Sequence, residues 1–181
     1  MGQYYNPAIL GDNKRTVKAW IYSHDYDNGL NLMEHSWLLN RFVGAFESLI
    51  MQKPQRVVWA GDYADECKGL KSNVYGRCAD KTKVNPVDTV IKREIFPYLV
   101  NHSKNQFIDK RKCVDVDGWI IHPLPLMTCE GNGRGGGDYH INHEAKKGNV
   151  ELIGTWARDV ISLEIEVPSY CKEEIIFDLF K

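Results

Sequence analysis

The sequence predicts an α+β domain built mainly on antiparallel sheet, with one principal amphipathic helix over residues 30–52. Three observations carry this expectation. Apolar residues recur at three- and four-residue steps in only one long stretch, where Leu32, Met33, Trp37, Leu38, Phe42, Val43, Phe46, Leu49 and Ile50 would share a helical face. Elsewhere, short runs rich in β-branched and aromatic residues are separated by turn-forming residues, the pattern of strands and hairpins. Finally, the strand-like runs outnumber the helical ones and flank the helix on both sides.

Taken in order, Gln3–Leu10 and Val17–Tyr22 read as a hairpin around Gly11-Asp12-Asn13-Lys14. His24 to Gly29 is a polar loop ending in the turn signal Asn28-Gly29, and the helix that follows must stop before Pro54. Arg56–Ala60 has the character of a buried strand and runs into Gly61-Asp62-Tyr63-Ala64-Asp65-Glu66. Residues 67–86 lack a clear period and read as a long, mostly irregular insertion, followed by a short helix over Val87–Glu94. Tyr98–Asn101 and Gln106–Asp109 form a second hairpin, and Trp119–His122 a strand that Pro123 and Pro125 confine to an edge or an irregular course. Val150–Trp156, Val160–Val167 and Ile175–Phe180 complete the strands. The order hairpin, Leu-Met, Trp-Ala-x-Asp occurs twice, at Leu32-Met33 with Trp59–Asp62 and at Leu126-Met127 with Trp156–Asp159. A duplicated unit with halves 1–66 and 98–167 would explain this echo, and so would chance.

With 181 residues, 43% hydrophobic and 26% charged, the chain is expected to form a single globular domain over 1–181. A net charge of −1 supplies no global field to attract or to imitate a phosphate backbone, so no direct sequence-specific nucleic-acid binding is expected. Five scattered cysteines and no apolar leader segment fit free thiols in a reducing cytoplasm, and no apolar run is long enough to span a membrane. Met1-Gly2 resembles a myristoylation start, but Asn6 stands where that motif needs Ser or Thr.

Gly131-Asn132-Gly133-Arg134-Gly135-Gly136-Gly137-Asp138 is the most unusual stretch, with five glycines in eight residues. Such a segment admits close backbone approach that side chains would block. Gly131, Gly133 and Gly136 satisfy G-x-G-x-x-G, but the polar run after Asp138 is too short for the helix that a dinucleotide site requires, and no Gly-Lys-Ser/Thr follows to make a P-loop. Two readings remain, a nest holding an anion or acidic partner with Arg134, and a tightly bent connection. Asp138, His140 and His143, with His122 or Cys129, match no zinc spacing. The carboxylate pairs Asp25/Asp27, Asp62/Asp65 and Asp115/Asp117 read as turn formers unless two of them converge. His35 lies within the helical period, where a satisfied core histidine is expected, and Trp59 and Trp156 read as core. No Ser- or Cys-centred elbow is present, and neither a catalytic residue, a metal nor a cofactor is expected.

Met1-Gly2-Gln3-Tyr4-Tyr5, Trp59-Ala60-Gly61-Asp62-Tyr63-Ala64-Asp65, Gly131–Asp138 and Trp156-Ala157-Arg158-Asp159 together resemble a group of small proteins of phages and mobile elements of gut bacteria. In length and setting the chain is similar to the type II-A anti-CRISPR proteins, inhibitors of Cas9. That resemblance implies a protein that acts in the host cytoplasm on Cas9 or the Cas9–guide RNA complex. Because the chain is nearly neutral, shape complementarity with a few carboxylates is expected rather than wholesale duplex mimicry. The expected partner-binding residues are Asp62, Tyr63, Asp65 and Glu66 beyond the strand, with Arg134, Asp138 and Tyr139 of the glycine stretch. The rival reading is a small nucleotide- or phosphate-binding enzyme with a concave pocket beside the glycine stretch. A third is a dimeric binding module without chemistry.

Overall fold

Why strands form at the two ends of the chain and a helix between them follows from where side chains must go. The computed structural model describes residues 3–116, 118–131 and 150–178. Strands β1 (Tyr5–Leu10) and β2 (Val17–Trp20) form the first hairpin, paired Ala8 to Trp20 and Ile9 to Ala19. Helices α1 (Leu32–His35) and α2 (Arg41–Ile50) follow, and then β3 (Gln55–Gly61), antiparallel to β1. Helix α3 (Val74–Cys78) precedes the second hairpin of β4 (Tyr98–Asn101) and β5 (Gln106–Asp109). Next come the two-residue strands β6 (Asp115–Val116) and β7 (Trp119–Ile120), helix α4 (Pro123–Thr128) and β8 (Cys129–Glu130). Strands β9 (Val160–Glu164) and β10 (Glu173–Glu174) end the described chain.

The main sheet runs β10-β5-β4-β9-β3-β1-β2, with β8 parallel to the end of β3. The fold is therefore α+β with a mostly antiparallel sheet. Its order reads alike from both sides of the β3–β9 junction: β1 lies between β2 and β3, and β4 lies between β5 and β9. The paired motifs do not share that correspondence, because Trp59–Asp62 runs from β3 into its exit turn whereas Trp156–Asp159 is a turn before β9.

Alternation along β3 splits two cores. Val57 and Trp59 face a large core under α2 and α4, with Tyr5, Phe42, Phe46, Leu99, Ile108, Ile161 and Leu163. Val58 and Ala60 face a smaller one with Ala8, Leu10, Val17, Cys67, Val74 and Cys78. At one margin Trp20 is bridged by Lys83, and at the other β10 presents Glu173 and Glu174, so charge and short pairing cover the edges.

Several local expectations need correction. The helix expected over 30–52 is broken at residues 36–40, because Asn40 caps α2 by accepting the N–H groups of Phe42 and Val43 at 2.9 and 3.1 Å, and Leu39 turns into the left-handed region at φ 68°. The insertion over 67–86 is mostly irregular, as expected, and holds one short helix, α3, whose Val74 and Cys78 seal the smaller core and which Asn73 caps. Residues Val87–Glu94 do not form a helix. The carbonyl of Thr89 lies so close to α2 that a Cβ on Gly44 would sit 2.2 Å from it, which leaves the segment flat against the helix. Trp119–Ile120 forms strand β7 of a two-stranded sheet with β6, an edge position as expected, and Pro123 and Pro125 follow it. These prolines open α4, where a missing N–H costs nothing and His122 Nδ1 accepts the Leu124 N–H at 3.1 Å. Val150–Trp156 is a 3-10 turn over Val150–Leu152 followed by turns, because Gly154 adopts φ 73° and its N–H and that of Trp156 donate to the carbonyls of Leu126 and Met127. The final strand is Glu173–Glu174, extended by the Ile175 N–H to Phe107 O bond, and residues 179–181 lie outside the described residues.

Candidate functional site

The strand β3 delivers its exit loop to a cleft. Gly61 ends the strand where a Cβ would meet Glu130 O at 2.3 Å, and Gly131 would likewise collide with the Gln3 amide at 2.4 Å. Both glycines are therefore needed for the chain to close around the buried Gln3. Beyond this point the loop is fastened by its own polar groups. Asp62 exchanges backbone and side-chain bonds with Tyr4, its N–H donating to Tyr4 O and its carboxylate accepting the Tyr4 N–H, each at 3.0 Å. The Asn73 amide donates to the carbonyls of Asp62 and Ala64 at 2.9 and 3.0 Å.

What the fastened loop presents is Tyr63, 47% exposed, and the exposed acids Asp65 and Glu66. Asp65 and Glu66 line a cleft of about 600 Å³ with Glu130, Gly131, Thr155 and Arg158. Arg158 enters from a turn held at φ 62° and forms a two-pronged ion pair with Glu130, Nε to Oε1 at 2.5 Å and Nη2 to Oε2 at 2.8 Å. Its Nη1 donates to Lys14 O at 3.2 Å. Burial opposes the charge on Arg158, and the bonds to Glu130 more than offset it, so its pKa is raised. Among the described residues the lining thus holds three carboxylates, Asp65, Glu66 and Glu130, and one guanidinium, that of Arg158, which Glu130 already occupies. Such a cleft favours a cationic group over an anion.

A second set of titratable groups, Glu47, Lys110, His122 and His35, is buried. Glu47, 2% exposed, accepts from Lys110 Nζ at 2.6 Å, and Lys110 is 0% exposed. His122 Nε2 lies 2.9 Å from the same oxygen. Since His122 Nδ1 accepts the Leu124 N–H, Nε2 carries the proton and a neutral ring serves. Burial raises the Glu47 pKa, but Lys110 and His122 together pull it down to about 2. His35 is held by Gly29 O at Nδ1, 3.1 Å away, and by the Trp59 indole N–H at Nε2, 2.8 Å away. Burial lowers its pKa to about 4. His102 touches Tyr170 Oη and Ser162 Oγ at 2.5 and 2.7 Å, and Ser162 Oγ donates to Glu164 at 2.6 Å. Ser162 is fully buried, so this chain of bonds does not present its hydroxyl at the surface.

Of the residues singled out from the sequence, Tyr63, Asp65 and Glu66 lie together on the loop, whereas Asp62 is engaged in holding Tyr4. Arg134, Asp138 and Tyr139 lie outside the described residues, as do His140 and His143. His122 and Cys129 are buried; the Cys129 thiol donates to Leu126 O at 3.2 Å, and burial pushes its pKa up to about 12. Asp25 pairs with Lys83 at 2.7 Å and Asp115 accepts the Gly118 N–H at 2.9 Å, while Asp117 is outside the described residues. Among the described residues no group of three or more His, Cys, Asp or Glu is placed to hold a metal ion. Nor is any helix there long and apolar enough to cross a membrane. All five cysteines are free and buried.

Sequence reasoning missed Glu130 as a site residue and gave Arg158 no role of its own. The Trp-Ala-x-Asp echo passes through Arg158 and was the one available signal. No family model, no curated protein and no solved structure matches the chain.

Proposed function

We propose that the protein works by fitting a macromolecular partner at the β3 exit, and that it is an anti-CRISPR protein whose partner is guide-loaded Cas9, bound in the host cytoplasm. The observation that carries the binding reading is that Asp65 and Glu66 stand exposed on the rim of a cleft whose guanidinium, Arg158, is held by Glu130. Cas9 holds nucleic acid in strongly basic channels. A few rigidly presented carboxylates beside an exposed tyrosine suit lysine and arginine side chains there, and a near-neutral chain need not imitate a duplex. The Cas9 assignment rests on the sequence resemblance.

A pull-down with and without guide RNA, paired with a target-cleavage assay, tests the reading. The guide-loaded complex should be retained and cleavage blocked; no retention in either state contradicts it. The rival, a phosphate- or nucleotide-handling enzyme, draws support from the concavity beside Gly131. Its weakness is electrostatic, since Arg158 already serves Glu130 and three carboxylates repel an anion. A rise in unfolding midpoint with inorganic phosphate or a nucleoside diphosphate would favour the rival.

A further inference from the structure

A second exposed surface shares no residue with the cleft. Two hollows, of about 310 and 660 Å³, adjoin along a ridge formed by Leu38, Leu39 and Ile120. Leu39 is 57% exposed at φ 68°, a conformation that favours glycine, and it is not there through slackness of the loop. The Leu38 N–H donates to Ile120 O at 2.8 Å, and Asn40 both caps α2 and donates to Asn28 Oδ1 at 2.7 Å. The larger hollow is walled by Trp119, 60% exposed, whose ring lies 5.5 Å from that of Trp37. A strained, immobile leucine and an exposed tryptophan, held side by side, are what a packed interface uses as anchors.

Charge points to the occupant. The smaller hollow is flanked by Lys92, Arg93 and Glu94, and the larger by Glu34, Asp115 and Arg41, with Arg93 paired to Glu94 at 3.4 Å and Arg41 to Asp88 at 3.0 Å. With those pairs set aside, Lys92 makes one end basic and Glu34 and Asp115 make the other acidic, with the ridge and its hollows beside them. A two-fold contact requires each copy to carry both members of every complementary pair within one patch, and this one does. We propose that a second copy of this chain docks here, ridge beside ridge, with the basic end of each copy against the acidic end of the other.

The test is sedimentation of the full chain over a series of micromolar concentrations. A reversible dimer is expected, with a dissociation constant raised by about tenfold or more in Leu39→Gly. Glycine suits φ 68° and keeps the fold, so this variant should retain or raise the unfolding midpoint while losing association. Lys92→Glu should also weaken the dimer, and should pair with Glu34→Lys in a mixture better than with itself. A chain that stays monomeric throughout leaves the groove to a foreign partner and overturns the proposal. An unchanged constant in Leu39→Gly, or no preference in the mixture, overturns it equally. Since the readout is self-association alone, it is independent of Cas9 binding.

Discussion

Two acidic regions of this molecule have opposite lives. Glu47 lies on the buried face of α2 with Lys110 and His122 around it, nearly sealed from water and with its carboxylate bonded to both. Asp65 and Glu66 lie at the mouth of a cleft, in water, with the nearby guanidinium of Arg158 already given to Glu130. A buried carboxylate without partners would be neutral or would unfold the chain, so Glu47 must be structural. An exposed carboxylate beyond a strand contributes almost nothing to folding, which frees Asp65 and Glu66 to serve a partner. The contrast separates residues that hold the fold from those the fold holds out.

The sharpest way to break the contrast is at its buried end. Lys110→Met should cost about 3–5 kcal/mol, because it removes the cation that balances Glu47 in the core and leaves only the neutral His122 ring bonded to it. Urea unfolding would show this as a lower midpoint with an unchanged slope. Adding Glu47→Gln should recover part of the loss, since it removes the stranded charge. A Lys110→Met variant as stable as the parent would mean that the pair is not sealed.

Acid titration acts on the same interior. His35 has a folded pKa of about 4, below the ordinary 6.5, so the folded state prefers it neutral. Its contribution is complete above 6.5 and is lost as pH falls from 6.5 toward 4, and His122, also lowered by burial, acts in the same direction. For His35 alone the loss approaches about 3 kcal/mol. Glu47, lowered from 4.5 to about 2, adds a further loss only as pH falls below 4.5. Urea midpoints measured across pH should fall first in the histidine range and again in the carboxylate range. Stability independent of pH between 6.5 and 4 would place His35 in contact with water.

A smaller effect separates Asp62 from its neighbours. Its carboxylate takes the Tyr4 N–H at 3.0 Å where β1 begins, so Asp62→Ala should lower stability by about 1 kcal/mol. Asp65→Ala with Glu66→Ala should stay within about 0.5 kcal/mol of the parent, since neither is buried and neither caps an element. Thermal unfolding of the two variants side by side distinguishes the fastening acid from the presented ones. Equal destabilisation would erase the distinction.

Much of the sheet was legible because its hairpins rest on local chemistry. Gly11 to Lys14 and His102 to Asn105 turn the chain, and the flanking strands alternate with the two faces they pack against. His35 was legible too, since a histidine within an apolar helical period must find partners in the core, and here finds Gly29 and Trp59. The break between α1 and α2 was not. Trp37 and Leu38 keep the helical step, so periodicity runs through residues 36–40 even though Asn40 is a good cap. Helix α4 was not legible either, because proline both ends a strand and permits a helix start, and only the packing of Leu124, Leu126 and Met127 into the main core decides for the helix. In the cleft, the loop acids could be picked out as a cluster after a strand. The Glu130–Arg158 pair could not, since it joins residues 28 apart in sequence through the parallel contact of β8 with β3, and nothing local announces such a contact.

The most direct trial of the account compares the parent chain with the Asp65→Ala, Glu66→Ala variant in binding to guide-loaded Cas9, with the unfolding midpoint measured on the same samples. The account predicts affinity lowered by about tenfold or more at an unchanged midpoint. Undiminished affinity in a fully folded variant would contradict it and move the working surface away from the β3 exit.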